Sequence, residues 1–327
     1  MNIGDRQEPK TSKHRPAKVL RAEPQTVHWG YLSKDLRPVL SIADGDELEV
    51  HSLSYPRGEN VPELLTPELE DILRSVTDGG PGPHLLTGPV YVSGAKPGDV
   101  LAIDILSVSP SLDYAYNRFL PGERGLGLLP EDFPVGRLKL LRLDRQRKEV
   151  VFSDTVRIPM RCFFGIMAVA PPHEGRWTSR IPGAFGGNLD ITDLTAGSTL
   201  YLPVFHDGAL FSVGDGHAVQ GDGEINIAAA ETSMTGRFRL SVRRDWSLAR
   251  PMAETATHII TVGIHEDVRE AAKIASRDMI AWLEKTKGMP REEGYMLCSL
   301  ALDLKISQLV NGQNGVHALL PKGIFES

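Results

Sequence analysis

The chain has 327 residues, of which 41% are hydrophobic and 24% charged, and its formal net charge is -6. These values are those of a globular protein with a sizeable core, and the weakly acidic balance gives no electrostatic reason to expect nucleic acid as a partner. Two cysteines are too few for a disulfide framework, and no run of about 18 apolar residues predicts a membrane span. Residues 1–18 lack the apolar segment of a secretory signal, so we expect a cytoplasmic protein.

The predicted elements follow an N-terminal tail, residues 1–24, that we expect to be mobile. Glu47–Leu53 and Val100–Leu106 alternate apolar and polar residues after turn signals, which is typical of strands. Thr66–Val76 is predicted as a short helix, capped by its first residue and begun by a proline. Residues 121–135 are rich in glycine and proline and predict a long surface loop.

The pattern changes near residue 250. Up to that point the runs are strand-like, and Gly236–Val242 shows a regular two-residue period. Glu266–Lys287 then has helical spacing and is followed by Gly288, a helix-ending residue. A second helix is predicted from Pro290 to about Asp303. We therefore predict a mainly β fold of the α+β class, with a β-rich body at 25–250 and a C-terminal strand–helix–helix–strand unit at 251–327.

Familiar catalytic signatures such as Gly-x-Ser-x-Gly and His-Glu-x-x-His are absent. Polar residues concentrate instead around Gly214–Glu224, whose glycines favour positive φ and a bulged backbone that could aim side chains into one concavity. Asp215, His217, Asp222 and Glu224 offer the oxygen and imidazole donors that a divalent metal binds. Alternatively, a carboxylate and a histidine could act as general base and acid without metal.

A structural interpretation of the same segment stays open. Asp-Gly is common in hairpin turns, so Gly214–Glu224 could be a plain hairpin. Asn188, Asp190 and Glu231 lie nearby in sequence, on strands that could pair. The presence of these further polar residues favours a functional site over a plain hairpin. His84 lies between turn residues just before a strand and is a second candidate to reach the same place, although a surface histidine would look the same.

Three stretches resemble the acetamidase/formamidase family: His84–Leu101, Asn188–Glu224 and Asp303–Phe325. The likeness covers about residues 25–326 in order. It implies a jelly-roll-like β-sandwich body with a C-terminal α+β part, and hydrolysis of formamide, acetamide or a similar short amide to ammonia and an acid. It also suggests a bound divalent ion, zinc or calcium, and a homo-oligomer, most simply a dimer.

Joined to this resemblance, the polar residues receive expected roles. The expected metal ligands are His84, Asp190, His217 and Glu224. The expected proton-transfer residues are Asp215, Asp222 and Glu231. Asn188 and Gln220 are expected to bind the substrate.

One departure from the family and two rival mechanisms accompany these roles. Phe185 stands where some members have a histidine, which predicts a lost ligand or a changed substrate if that histidine belongs to the site. Cys162 is a rival nucleophile, but the two phenylalanines that follow it favour burial. A non-catalytic β-sandwich that binds a metal or a small ligand is the rival from another functional class.

Overall fold

The computed structural model describes residues 17–326. The expected mobile tail, residues 1–24, therefore falls largely outside the described residues, and its described end contains a short strand. Within residues 17–326, no helix is both long and apolar enough to cross a membrane.

The described part of the chain contains three α-helices, three 3-10 helices and many short strands. The strands are β1 (Lys18–Leu20), β2 (Val27–Trp29), β3 (Tyr31–Leu32), β4 (Leu40–Ile42), β5 (Glu47–Ser52), β6 (Leu85–Val92), β7 (Val100–Pro110), β8 (Tyr114–Phe119), β9 (Arg137–Asp144), β10 (Glu149–Val151), β11 (Arg157–Pro159), β12 (Phe163–Ala168), β13 (Trp177–Thr178), β14 (Gly186–Asn188), β15 (Thr199–Pro203), β16 (Phe211–His217), β17 (Met234–Arg243), β18 (Met252–Glu254), β19 (His258–His265), β20 (Asp303–Gln308) and β21 (Asn314–Pro321). The α-helices are α1 (Pro67–Ser75), α2 (Val268–Lys287) and α3 (Arg291–Ala301), and the 3-10 helices are Pro62–Leu64, Gly122–Arg124 and Lys322–Ile324.

Two large sheets form a sandwich. The first has nine strands in the order β1-β5-β17-β7-β15-β18-β19-β21-β20, and the second has six, with β14-β12-β16-β6-β2 in sequence and β4 also paired to β6. Their inner faces share one hydrophobic core, in which the ring of Phe238 on β17 lies 5.7 Å from that of Phe164 and 5.9 Å from that of Phe211. A four-stranded sheet, β11-β10-β9-β8, and the pair β13-β3 complete the body. The predicted mainly β, α+β class is confirmed.

The C-terminal unit extends the nine-stranded sheet, because β18 pairs with β15 of the body. Helix α2 begins at Val268, two residues later than predicted, since Asp267 caps it by accepting hydrogen bonds from two backbone amides of the first turn. Gly288 ends it in the left-handed conformation, as predicted. Gly263 on β19 allows the helix to lie close, because a Cβ there would come 1.9 Å from the carbonyl oxygen of Ala271. The boundary at residue 250 stays a prediction.

The segment Gly214–Glu224 is not a hairpin. Its first four residues end strand β16, which lies between β12 and β6 in the six-stranded sheet. The expectation of positive φ is correct for Gly223, at 104°, but wrong for Gly214, Gly216 and Gly221. Gly214 and Gly216 instead permit close packing, since a Cβ would lie 2.4 Å from the carbonyl oxygen of Leu85 at the first and 2.6 Å from a backbone oxygen at the second.

Candidate active site

The imidazole of His217 is fully buried among carboxylates. Its Nε2 atom lies 3.4 Å from Oδ2 of Asp215 and 3.2 Å from Oε2 of Glu231. Its Nδ1 atom lies 4.0 Å from Oδ1 of Asp190, and Glu224 brings a carboxylate oxygen to within 4.8 Å of both residues. Both ring nitrogens therefore face acidic groups.

Backbone conformation directs three of these carboxylates. Asp190, Asp215 and Glu224 have φ values of 50°, 62° and 47°, in the left-handed region that side chains other than glycine rarely adopt. Each such residue costs about 1–3 kcal/mol, and residues of this kind cluster at functional sites, where the surrounding structure enforces them. The repeated strain in one cluster indicates that the fold gives up stability to hold these carboxylates together.

Gly165, in the middle of β12, forms the floor of the cluster. Strand β12 lies between β14 and β16, so the side chains of Asp190 and Asp215 approach over Gly165 from opposite sides. A Cβ at this position would lie 2.5 Å from Oδ2 of Asp215, 2.6 Å from Oδ1 of Asp190 and 2.7 Å from Cε1 of His217. Only a residue without a side chain leaves room for the three groups to meet.

Glu231 reaches the cluster through backbone pairing with β8. Its amide donates to the carbonyl of Tyr116 at 2.8 Å, and the amide of Tyr116 donates to the carbonyl of Glu231 at 2.9 Å. One carboxylate oxygen, Oε1, accepts a 2.8 Å hydrogen bond from the amide of Ala229. The other oxygen, Oε2, is buried without a hydrogen-bond donor and faces His217.

The charges of the cluster shift its titration strongly. Burial alone would raise the pKa of Asp215, but the imidazoles of His84 and His217 bring it below the usual range. Burial alone would lower the pKa of His217, but Glu231 and Asp215 hold it well above its ordinary value. Burial, together with the neighbouring carboxylate of Asp190, raises the pKa of Glu224 well above its ordinary value. The cluster thus contains a firmly ionised carboxylate beside carboxyls that resist ionisation, which is a common feature of catalytic sites.

A small cavity opens onto the cluster, with Asp215, Glu224 and Glu231 in its wall. Its volume is about 90 Å³. This is about six times the ~15 Å³ that one water molecule requires, so the cavity suits a molecule of a few heavy atoms. The aliphatic residues of its wall are Leu53, Pro83, Leu85, Leu120, Leu126, Ile227 and Ala228.

The expected substrate-binding residues take different positions. Asn188 lines the cavity, and its buried Oδ1 has no hydrogen-bond partner. Gln220 does not line it; its side-chain amide donates to the backbone carbonyls of Asp190, at 3.1 Å, and Ser307, at 3.3 Å. Gln220 therefore supports the loop that carries Asp190.

His84 lines the cavity on the side of Asp215, away from Asp190 and Glu224. Its Nε2 lies 3.8 Å from Oδ1 of Asp215, and its Nδ1 lies 2.9 Å from the buried hydroxyl of Ser179. The three other expected metal ligands form one group with ligand atoms within 4.8 Å of one another, and His84 is not part of it.

Three other residues singled out in the sequence lie away from the cavity. Asp222 turns outward, where Oδ1 accepts a 2.8 Å hydrogen bond from Thr192. Phe185 packs in the core with its ring 5.6 Å from that of Trp177, and it does not line the cavity. Burial raises the pKa of the Cys162 thiol to about 11, and the residue does not line the cavity, which argues against a thiolate nucleophile.

Sequence reasoning missed several residues of the site, among them the cavity-lining Arg118 and Arg180. Gly165 lies in an apolar strand and gave no local signal. Tyr116 lines the cavity from β8, with its hydroxyl 3.2 Å from that of Ser54. Asn311 lines the cavity and donates to Oδ2 of Asp190. The C-terminal stretch of resemblance contained Asn311 and was the one signal that could have found it.

Comparison with known proteins identifies the family. A family model described as the Acetamidase/Formamidase family matches residues 17–180 and 175–327. A formamidase of Methylophilus methylotrophus is 29% identical over 89% of this chain and 88% of its own length. The crystal structure of an acetamidase from Bacillus halodurans is 32% identical, with a TM-score of 0.80 over 94% of this chain and 98% of that one. An acetamidase structure from Yersinia enterocolitica is 27% identical, with a TM-score of 0.83 over 96% and 94% of the two chains. The chain therefore belongs to the Acetamidase/Formamidase family of amide hydrolases.

Proposed function

We propose that this chain hydrolyses a short linear amide, such as formamide or acetamide, to ammonia and a carboxylic acid in the cavity above His217. The observation that carries the proposal is the convergence of Asp215, Glu231 and His217 at a cavity large enough for only a few heavy atoms. The names of the relatives, formamidase and acetamidase, support the same reaction. They also disfavour the rival of a non-catalytic binding protein.

The donor atoms behind the cavity wall fit a divalent cation. Asp190, His217 and Glu224 each offer a ligand atom within 4.8 Å of the other two. Oδ1 of Asp190, Nδ1 of His217 and Oε2 of Glu224 are buried and have no hydrogen-bond partner. Buried polar atoms without a partner are rare and costly, and a cation would offset the repulsion between these carboxylates. An imidazole with two carboxylates is a set that zinc binds, whereas calcium takes oxygen ligands, so we place zinc ahead of calcium. Bound there, the ion would supply Lewis-acid chemistry that polarises a carbonyl and acidifies water.

We assign proton transfer to Glu231 and His84, with Asp215 as the charged neighbour of His84. The unpartnered Oε2 of Glu231 can accept a proton from the attacking water. Asp215 stays ionised because two imidazoles lower its pKa, which makes it a weak base, and its Oδ1 faces Nε2 of His84 at 3.8 Å. His84 lies beside Asp215 with Nδ1 fixed by Ser179, which leaves Nε2 to deliver a proton to the departing nitrogen. Asp222 receives no role, because it faces Thr192 outside the cavity.

We assign substrate orientation to Asn188. Its Oδ1 is buried at the cavity wall without a donor, and the NH₂ group of a primary amide offers one. A site with an unpaired acceptor discriminates against an analogue that lacks the matching donor, because the acceptor then stays unsatisfied. An ester of the same shape should therefore be a poorer substrate than the amide.

Ammonia release tests the proposal. Purified protein, supplemented with zinc, is incubated with formamide, acetamide and propionamide, and ammonia is measured against a protein-free blank. We expect turnover of at least one amide. We also expect a loss of at least ~100-fold in kcat for His217→Ala and Glu224→Ala, because each removes a proposed ligand of an ion that would supply several kcal/mol of stabilisation. Near-ultraviolet circular dichroism confirms that the variants fold. No ammonia above the blank from the wild-type protein would refute amide hydrolysis, and full activity in both variants would remove this cluster from the mechanism.

We also propose that the chain forms a homodimer through α3 and the neighbouring edge strand β20. These elements expose large apolar side chains, including Leu300 at 85%, Tyr295 at 70% and Leu304 at 51%. Apart from a bridge between Gln308 and Gly223, β20 is the edge of its sheet, and an edge with exposed apolar side chains favours association with another chain. Sedimentation velocity should give a dimer for the wild type and a monomer for Leu300→Glu. A monomeric wild type at micromolar concentration would contradict the proposal.

A further inference from the structure

One turn at the cavity wall combines a strained backbone with an apolar side chain. Residues 224–227 form a turn in which the amide of Ile227 donates to the carbonyl of Glu224 at 2.9 Å. Ile227 has a φ of 81°, and a β-branched residue at positive φ is a genuine outlier because its side chain crowds the backbone. Among the apolar residues that line the cavity, Ile227 is the one whose φ is positive.

Two asparagines hold the turn in this conformation. The side-chain amide of Asn117, on β8, donates to the carbonyl oxygens of Ala228, at 2.8 Å, and Ala229, at 2.9 Å. Its oxygen accepts a 2.7 Å hydrogen bond from the side chain of Asn226, whose own oxygen accepts from the amide of Ala228 at 3.2 Å. The peptide groups on both sides of Ile227 are thus fixed, which is the condition under which a strained residue persists.

The position of Ile227 relative to the reacting groups follows from the turn. Glu224 begins the turn and lines the same cavity, so the backbone hydrogen bond between the two residues fixes Ile227 relative to Glu224 in one cavity wall. The second loop that approaches the cavity is tied to this turn, because the amide of Leu128 donates to the carbonyl of Ile225 at 2.8 Å. Simple primary amides differ from one another only in the acyl group, so an apolar wall in this cavity meets that group.

We propose that Ile227 determines the acyl-chain specificity of the site: it contacts the acyl group of the bound amide and limits the length of that chain. This inference rests on the proposed amide hydrolysis. Asn117 acts as a positioning residue, since it does not line the cavity and reaches the substrate only by holding the turn. The strained backbone of Ile227 keeps its side chain in the cavity wall, and a smaller residue at this position would enlarge the cavity.

Substrate profiles test the proposal. Ile227→Ala and Ile227→Gly are compared with the wild type on formamide, acetamide, propionamide and butyramide. One methylene in an apolar pocket changes selectivity by about 10–200-fold, so we expect the ratio of kcat/KM for propionamide over formamide to rise at least ~10-fold in both variants. Ile225→Ala is the matched control, because Ile225 lies in the same turn but is 56% exposed and outside the cavity wall. Unchanged ratios in both Ile227 variants, with formamide still hydrolysed, would overturn the proposal.

A second pair of measurements separates the specificity claim from the proposed function. A left-handed φ is unfavourable for alanine but not for glycine, so the Tm of Ile227→Gly should be about 2–4 °C above that of Ile227→Ala. A Tm of Ile227→Gly at or below that of Ile227→Ala would contradict the strained conformation of this residue. If the wild type hydrolyses no amide, the proposed function fails. The chain-length limit is then read from calorimetric binding of formate, acetate, propionate and butyrate, and an identical series for wild type and Ile227→Gly would overturn the inference.

Discussion

The side-chain amide of Asn311 donates a 2.7 Å hydrogen bond to Oδ2 of Asp190, although 121 residues separate the two in the chain. Asn311 follows β20 in the C-terminal unit, whereas Asp190 follows β14 in the body. The C-terminal unit therefore completes the site, and Oδ1 of Asp190 is left as the oxygen that faces His217.

Replacing Asn311 with alanine should weaken the site without unfolding the protein. Burial raises the pKa of Asp190 to about 8, so this is an ordinary hydrogen bond of about 0.5–1.5 kcal/mol, and we expect kcat/KM for the best amide to fall by about 2–10-fold. Asn314→Ala is the control, because Asn314 bonds to the backbone of Glu266 outside the cavity. Equal kcat/KM values for the two variants would show that the bond to Asp190 is dispensable.

Gly165→Ala should abolish activity through crowding alone. The added Cβ would lie 2.5–2.7 Å from the side chains of Asp215, Asp190 and His217, so at least one of them must move. A displacement of about 1 Å at a catalytic group can cost about 100-fold in rate, and we expect at least that loss in kcat. Gly294→Ala is the control: a Cβ in α3 meets neighbours only at 3.6 Å or more, and alanine favours the helix. Wild-type kcat in Gly165→Ala would refute the tight convergence.

Local rules in the sequence predicted the helices, and long-range pairing explains what was missed. Thr66 caps α1 by accepting from the amide of Leu69, as its sequence pattern predicts, because a cap depends only on neighbours within one turn. Tyr116 and Asn311 reach the cavity through strand pairing and a distant loop, and no local pattern contains that information. Asp222 looked equivalent to Asp215 in sequence, but β16 ends at His217, and the chain then turns outward.

Glu231 and Asp222 should respond differently to the same loss of charge. Glu231→Gln removes a base beside His217, so we expect kcat to fall about 10²–10⁴-fold while KM changes little. Asp222→Asn keeps its shape and its contact with Thr192 outside the cavity, so kcat should stay within about threefold of the wild type. Steady-state kinetics on one amide decide the matter. A large loss in Asp222→Asn would restore the proton-transfer role that the sequence suggested for it.

Removing divalent metal should lower both activity and stability. Asp190, His217 and Glu224 present buried atoms without partners, and a ligand that binds only the folded state stabilises it, by about 2.7 kcal/mol at 100 times Kd. Dialysis against a chelator should therefore lower the Tm and abolish ammonia release, and zinc should restore both better than calcium. His217→Ala should show no change in Tm on metal addition. Full activity in protein that contains far less than one equivalent of metal would leave only the metal-free version of the mechanism.

His28 should make the protein less stable in mild acid. Burial lowers its pKa from 6.5 to about 4, against the opposing effect of its hydrogen bond to the carbonyl of Tyr31. Since a carbonyl only accepts, Nδ1 donates to Tyr31, and Nε2 of the neutral ring accepts from Ser212 at 3.1 Å. Below pH 6.5 the imidazole of His28 binds a proton in the unfolded chain, whereas in the folded chain it stays neutral down to about pH 4. The free energy of unfolding therefore falls as the pH drops from 6.5 to about 4.

The full effect is about 3 kcal/mol, from a shift of about 2.5 pH units at 1.36 kcal/mol each. Urea unfolding of the wild type and of His28→Gln at pH 7.5 and pH 4 isolates it, because every other titrating group is common to both proteins. The stability advantage of the wild type over the variant should shrink by up to about 3 kcal/mol at the lower pH. If the difference in unfolding free energy between the two proteins is the same at both pH values, folding leaves the pKa of His28 unchanged. Its ring would then be hydrated and not buried between Tyr31 and Ser212.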